Sequence, residues 1–378
     1  MEEIIFNLKE GGLIFTPKNT DQKRALRALV FKEWRAQPLD IDSLELFLDK
    51  SKKVTFDIKL NIKNSFTFED GIRKPIKDEY TWPLELDFNF KNRLDIFCIV
   101  PGGWLPIGIG MINSKVLGDR NFIDRIRHYF SNNDVKEEYK DNFFSNLDEM
   151  MVEIDILPFA MEGNLNNFQD TKQIKQQVEE AKRKVKEVLP NIPIVEYEGI
   201  KLDSYVQKLL DYLRPTIELR QNFLEKVQDS LLNPSPKVER IIERWDRIIK
   251  VADEVGISRK DIVVVCSLLI VSSPQNDSPI RGVLKPKSNI EKVKIYNVVF
   301  DINLIELLLN VTKGFPDKNY VVITHDKDLV RLASLMTNLT HLNSDGNIST
   351  FSSSIPIKYI GTDERLHNKL KELLACNK

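Results

Sequence analysis

Residues 296–328 read YNVVFDINLIELLLN, then VTKGFPDKN, then YVVITHDKD, which predicts an apolar helix, a turn, a buried strand and a group of carboxylates where that strand ends. On a helical wheel that advances roughly 100° per residue, Asn297 falls within about 40° of Asp301. The neighbours of this pair are Val298, Leu304, Ile305 and Leu308. Asn303, Glu306 and Asn310 group on the opposite side and read as the solvent face. An aspartate in the middle of an apolar arc loses hydration on folding, at a cost of several kcal/mol if nothing compensates it. It needs a cation, a donor network or a wet cleft.

The run Tyr320–Thr324 has the unbroken apolar character of a parallel strand buried on both faces. His325, Asp326, Lys327 and Asp328 follow it, and in open α/β sheets ligands bind at the carboxyl edge of the strands. Asp326 equally suits the N-cap of the helix that follows, so both readings stand. His325 reads as a hydrogen-bonded turn residue more readily than as a general base.

At 378 residues the chain exceeds one ordinary core, so two domains are expected, 1–145 and 146–378. With 55 Lys and Arg against 56 Asp and Glu, any basic surface must be local. Cys98, Cys266 and Cys376 are widely spaced and the four histidines lack ligand spacing, which argues against a disulfide scaffold or a zinc ribbon. A metal here would be held by carboxylates, which favours Mg²⁺ or Mn²⁺. MEEIIFNLKEGG lacks a basic region followed by an apolar core, and no apolar run approaches the roughly 20 residues that cross a bilayer. A cytoplasmic location and no membrane partner are expected.

Residues 1–145 read as an α+β domain. IIFNL and LIFTP are strand candidates, residues 21–36 an amphipathic helix, and KVTFDIKLNIK and LELDFNF alternate as half-exposed antiparallel strands do. Gly108 and Gly110 lie in an apolar run and suit a tight β-turn with close sheet packing, not a dinucleotide loop. A helix is expected over 120–130, and NNDVKEEYKDN is the candidate linker.

In the second half a strand over 150–157 carries Asp155, Asn167, Asp170 or Thr171 starts a long charged helix, and IPIVEY completes a β-α-β unit. Helices fill 201–255 with a break near Pro215, ERIIERWDRIIKVADEVG ends at Gly256, and Asp261 reads as the cap of IVVVCSLLIV. Arg281, Lys285, Lys287, Lys292 and Lys294 mark a basic loop, in which Arg281, Lys285 and Lys287 are the candidates for holding a phosphate backbone.

A strand ending in Asp155, a helix carrying Asp301 and a strand ending Thr324-His325-Asp326-Lys327-Asp328 resemble the PIN-like nucleases over residues 149–345, extending to a final strand IPIKYIG. The resemblance implies an α/β fold with a parallel sheet and metal-dependent cleavage of RNA or other single-stranded nucleic acid. It implies Asp155, Asp301 and Asp326 as metal ligands, Asp328 as a further catalytic acid, and Glu218, with Glu162 behind it, as the acid on an intervening helix. Asn297 and Thr324 would orient these carboxylates. The resemblance says nothing of residues 1–145; by analogy alone, a second domain fused to a nuclease suggests a protein partner or regulator and a toxin or defence effector. The alternative is a catalytically silent PIN-like binding protein.

Overall fold

A computed structural model of the chain describes residues 2–7, 12–17, 28–31, 33–49, 54–64, 66–69, 72–75, 79–86, 96–131, 134–135, 152–162, 169–196, 202–232, 236–273, 279–287, 292–335 and 357–375. The fold is mixed α/β. The N-terminal part is rich in strands: β1 (Glu2–Asn7), β2 (Gly12–Pro17), β3 (Ala28–Phe31), β4 (Glu33–Ala36), α1 (Ile41–Leu48), β5 (Val54–Lys63), β6 (Phe66–Glu69), β7 (Ile72–Pro75) and β8 (Glu79–Leu86). They form two antiparallel sheets, β1-β2-β3-β6-β7 and β4-β5-β8. The alternation expected of KVTFDIKLNIK is present in β5, where Phe56, Ile58, Leu60 and Ile62 are buried and Asp57, Lys59 and Asn61 are exposed. The helix expected over 21–36 is replaced by β3 and β4, while residues 21–27 lie outside the described residues. Leu29, Val30 and Phe31 suit a strand, and pairing with β2 and β6 outweighs the local helical pattern.

The central sheet is built from β9 (Phe97–Val100), β10 (Gly103–Leu105), β11 (Lys115–Gly118), β14 (Glu153–Asp155) and β15 (Tyr320–Thr324) in the order β10-β9-β15-β11-β14. β15 runs parallel to β11 and antiparallel to β9, β14 runs parallel to β11, and Ile194 extends the sheet by a parallel bridge to Ile154. All five residues of β15 are buried, as the sequence suggested. β9 turns into β10 through Pro101 and Gly102, whose φ of +90° is one a glycine adopts without strain. Gly108 and Gly110 belong to a helical turn, α2 (Ile107–Gly110), not to a β-turn. Gly110 lies so close to Cys98 that a side chain there would collide with its sulfur.

This sheet takes strands from both sides of residue 145, so that position does not separate two sheets. The N-terminal part is also packed directly on the central sheet. Phe47 of α1 lies 5.0 Å from Trp104, Phe56 of β5 lies 5.9 Å from it, and Trp104 donates its ring N–H to the Asp40 carbonyl at 3.0 Å. The expected linker falls mostly outside the described residues, which include β12 (Phe130–Ser131) just before it and β13 (Asp134–Val135) within it.

The helices are α3 (Arg120–Tyr129), α4 (Leu157–Glu162), α5 (Thr171–Val188), α6 (Leu202–Leu231), α7 (Val238–Val255), α8 (Ile262–Ser272), α9 (Pro279–Leu284), α10 (Lys292–Gly314), α11 (Lys327–Leu335), α12 (Ile357–Ile360) and α13 (Glu364–Ala375). Asp170 starts α5 with a capping box on Gln173, and α7 ends at Gly256 in the left-handed conformation. α6 runs through Pro215 without the expected break, and the final strand expected over IPIKYIG is in part the helical turn α12.

The face of α10 that carries Asn303 and Glu306 is not solvent. Asn303 is buried, and Glu306 accepts from both terminal nitrogens of Arg220 on α6, which also holds Asp261. Asn310 is exposed as expected. Lys294–Gly314 is the one segment among the described residues that is long and apolar enough to cross a membrane by length and composition, and 56% of its most apolar window is buried inside the protein.

Candidate functional site

Parallel strands β11 and β15 lie side by side with Gly118 opposite Ile323, so the residues that follow each strand emerge together at the carboxyl edge. Asp119 is the first of them. It is buried, and its Oδ1 accepts from the Phe122 N–H at 2.6 Å, at the start of α3. Thr324, the last residue of β15, gives it a side-chain hydrogen bond. Burial nevertheless dominates, and with the nearby charges of Glu162 and Asp326 it pushes the Asp119 carboxyl up to about 8.

Asp326 stands two residues beyond Thr324, whose Oγ1 accepts from the Asp326 N–H at 3.1 Å. Its Oδ1 accepts from the N–H groups of Asp328 at 2.9 Å and Leu329 at 3.1 Å, so it caps α11. Its Oδ2 faces the Lys285 ammonium at 3.7 Å. Asp326 is thus the cap that one of its two sequence readings expected, and its second oxygen is turned to Lys285.

Asp301 comes from α10. As a residue it is half-buried, yet its carboxyl is enclosed enough for desolvation to raise it well above the usual range. Glu162, Asp326 and Asp119 raise it further, and Lys285 opposes them. Glu162 completes the group from the end of α4. Burial pushes it up to about 7, against the charge of Arg120 and a hydrogen bond from the Arg120 backbone. Tyr296 is raised by burial and by Glu162, while the side-chain oxygen of Asn297 is buried without a hydrogen-bond partner. Four acids from four elements therefore act on one another, with Lys285 and Arg120 as opposing charges.

The structure distributes the other sequence candidates differently. Asp155 ends β14, one strand further out, and its Oδ1 accepts from the Leu157 N–H at 3.0 Å to start α4. It is not one of the principal charges on Asp119 or Asp301. Glu218 is exposed on α6, and Glu162, the second choice, is the helix-borne acid of the group. Asp328 bonds Arg331 at 3.1 Å and lies against Gly282 of α9. Arg281 donates to the Leu231 carbonyl at 3.1 Å, and its ordinary basicity is lowered by burial. Lys287 is exposed, and Lys285 alone of the three basic candidates is ion-paired with a member of the group. Asp261 caps α8 as expected, through the Val263 N–H at 3.0 Å.

Sequence reasoning missed Asp119. The signal was KVLGD, a short apolar run with an acid directly after it, obscured by the glycine-rich stretch that precedes it.

Among the described residues, no group of three or more His, Cys, Asp or Glu side chains is placed to hold a metal ion. No protein-family model, curated protein or solved structure matches the chain.

Proposed function

We propose that Asp119, Glu162, Asp301 and Asp326 bind Mg²⁺ or Mn²⁺ and that the protein is a metal-dependent phosphodiesterase of PIN-like construction acting on RNA. One observation carries this reading: four acids meet near the carboxyl edge of β11 and β15, where Asp119 and Asp301 are raised above their usual range by burial and by the other acids, and Glu162 by burial. A fold keeps such repulsion where a ligand relieves it. The donor types suit a hard cation, since they are carboxylates, and Asn297, one helical turn before Asp301 on α10, has a buried side-chain oxygen without a hydrogen-bond partner. The caps do not prevent this fit. Asp326 Oδ1 is held on α11, which leaves its Oδ2, now facing Lys285, uncommitted to the helix.

When bound, the cation would acidify a water and neutralise charge on a phosphodiester. The protein's own contribution is positional. Helix N-termini fix one oxygen each of Asp119 and Asp326, Thr324 orients both residues, and α10 brings Asp301 within reach of their charges. Lys285 supplies positive charge beside the acids for a phosphate backbone, and exposed Lys287 follows it two residues on.

A second reading, the silent binding protein, is favoured by the fact that Asp119, Asp155 and Asp326 each already start a helix. Thermal unfolding with and without Mn²⁺ separates the two. The enzyme reading requires Mn²⁺ to raise the wild-type midpoint, Asp301→Asn and Asp119→Asn to lose that response, and wild type to cut single-stranded RNA in Mn²⁺ but not in EDTA. A wild-type midpoint indifferent to Mn²⁺, with no RNA cleavage, sinks it.

A further inference from the structure

α9 ends in an unusual way. Lys285, the residue after it, has φ of +46°, in the left-handed region that a side chain with a Cβ rarely adopts. Its N–H still closes the helix on the Arg281 carbonyl at 2.9 Å. Glycine or asparagine is the usual choice at such a position, and a strained residue persists where the surroundings hold it for a purpose. The surroundings do hold it. Gly282, one turn earlier, lies so close to the Asp328 carboxylate that a methyl group would collide with it, which presses α9 onto α11. Arg281 ties the same turn to the end of α6. With α9 fixed at two points, Lys285 is delivered to the acids, its ammonium 3.7 Å from Asp326 Oδ2 and its charge opposing those around Asp301. Its side chain remains about half exposed, so it has solvent to move into.

We infer that Lys285 is an exchangeable internal counter-ion: in the free protein it occupies the place beside Asp326 and Asp301 that a divalent cation takes, and it must withdraw for the cation to enter. This rests on the carboxylates being the cation site. It makes Lys285 a regulator of metal occupancy as well as a phosphate contact. The ion pair steadies the free protein against its own acidic repulsion and raises the concentration of cation at which the site fills.

The test is calorimetric titration of Mn²⁺ into wild type, Lys285→Met, Lys285→Gly and Lys285→Arg, together with their thermal midpoints. Met and Gly variants are expected to bind Mn²⁺ about two- to fivefold more tightly than wild type, the range a part-exposed ion pair commands. Without cation the Met midpoint should fall by about 1–2 °C, and saturating Mn²⁺ should close that gap. Gly suits the left-handed backbone but lacks the ammonium, so its affinity must move in the same direction as that of Met; Arg keeps the charge and should resemble wild type. If wild type binds Mn²⁺ and the Met and Gly variants bind it equally or more weakly, Lys285 is not in the cation's place and the proposal is overturned, with the carboxylate site intact. If wild type takes up no Mn²⁺ at all, the carboxylate reading is overturned and this proposal with it.

Discussion

Asp119 titrates in the direction opposite to a surface carboxylate. Its folded value, about 8, lies above the roughly 4 of an unfolded aspartate, so between these values the native chain keeps a proton that the unfolded chain has lost. Stability from this group is therefore complete at the acid end of the window and declines as the pH rises toward 8. Glu162, raised to about 7, and Asp301 act in the same sense. In EDTA the protein should gain about 1–3 kcal/mol between pH 8 and pH 5, measured by urea unfolding, and Asp119→Asn should flatten that slope. Asp301→Asn, which removes one repelling charge, should stabilise the cation-free protein by about 1–2 kcal/mol at pH 8; an equally large loss instead would mark Asp301 as a structural acceptor. At this scale the sequence was informative where an acid broke a long pattern. Asp301 interrupts an apolar arc and Asp326 follows a five-residue buried strand, so both were legible. Asp155 and Asp119 each follow a short strand, and only the register that sets Leu117 beside Asp155 and Gly118 beside Ile323 shows which one adjoins β15.

Between elements, the strongest polar tie is Arg220, which joins α6 to Asp261 at the start of α8 and to Glu306 on α10. It is 4% exposed, so Arg220→Met leaves two carboxylates facing each other without their cation and should cost about 3–5 kcal/mol in urea unfolding. No helical wheel reveals this network, because Glu306 looks like a solvent residue until α6 is laid over it. The contact of α9 with α11 offers a second test. Gly282→Ala should destabilise by about 1–3 kcal/mol, and Asp328→Ala in the same chain should recover part of that loss, because it removes the atoms the new methyl group meets. Equal, additive losses would show that the two helices do not rely on this approach. The basic loop was recognised from its composition, yet composition could not divide Arg281, which is committed to α6, from Lys285, which reaches the acids.

For the whole molecule, the division expected at residue 145 would cut the central sheet. A chain of residues 146–378 lacks β9, β10 and β11 and leaves β15 without either neighbour. It should show no cooperative unfolding transition by circular dichroism, whereas the full chain should; a cooperative transition in the fragment would restore the two-domain division. Sequence periodicity identified β15 and most helices, but strand order depends on pairings between distant segments, which no local pattern records. That same order fixes when the protein can come into being. β15 follows its partner β11 about 200 residues later, so at roughly 5–20 residues per second the nascent chain carries an exposed strand edge for about 10–40 s. Asp326 is the last of the four acids to emerge, so a growing polypeptide cannot assemble the proposed site before β15 has been made.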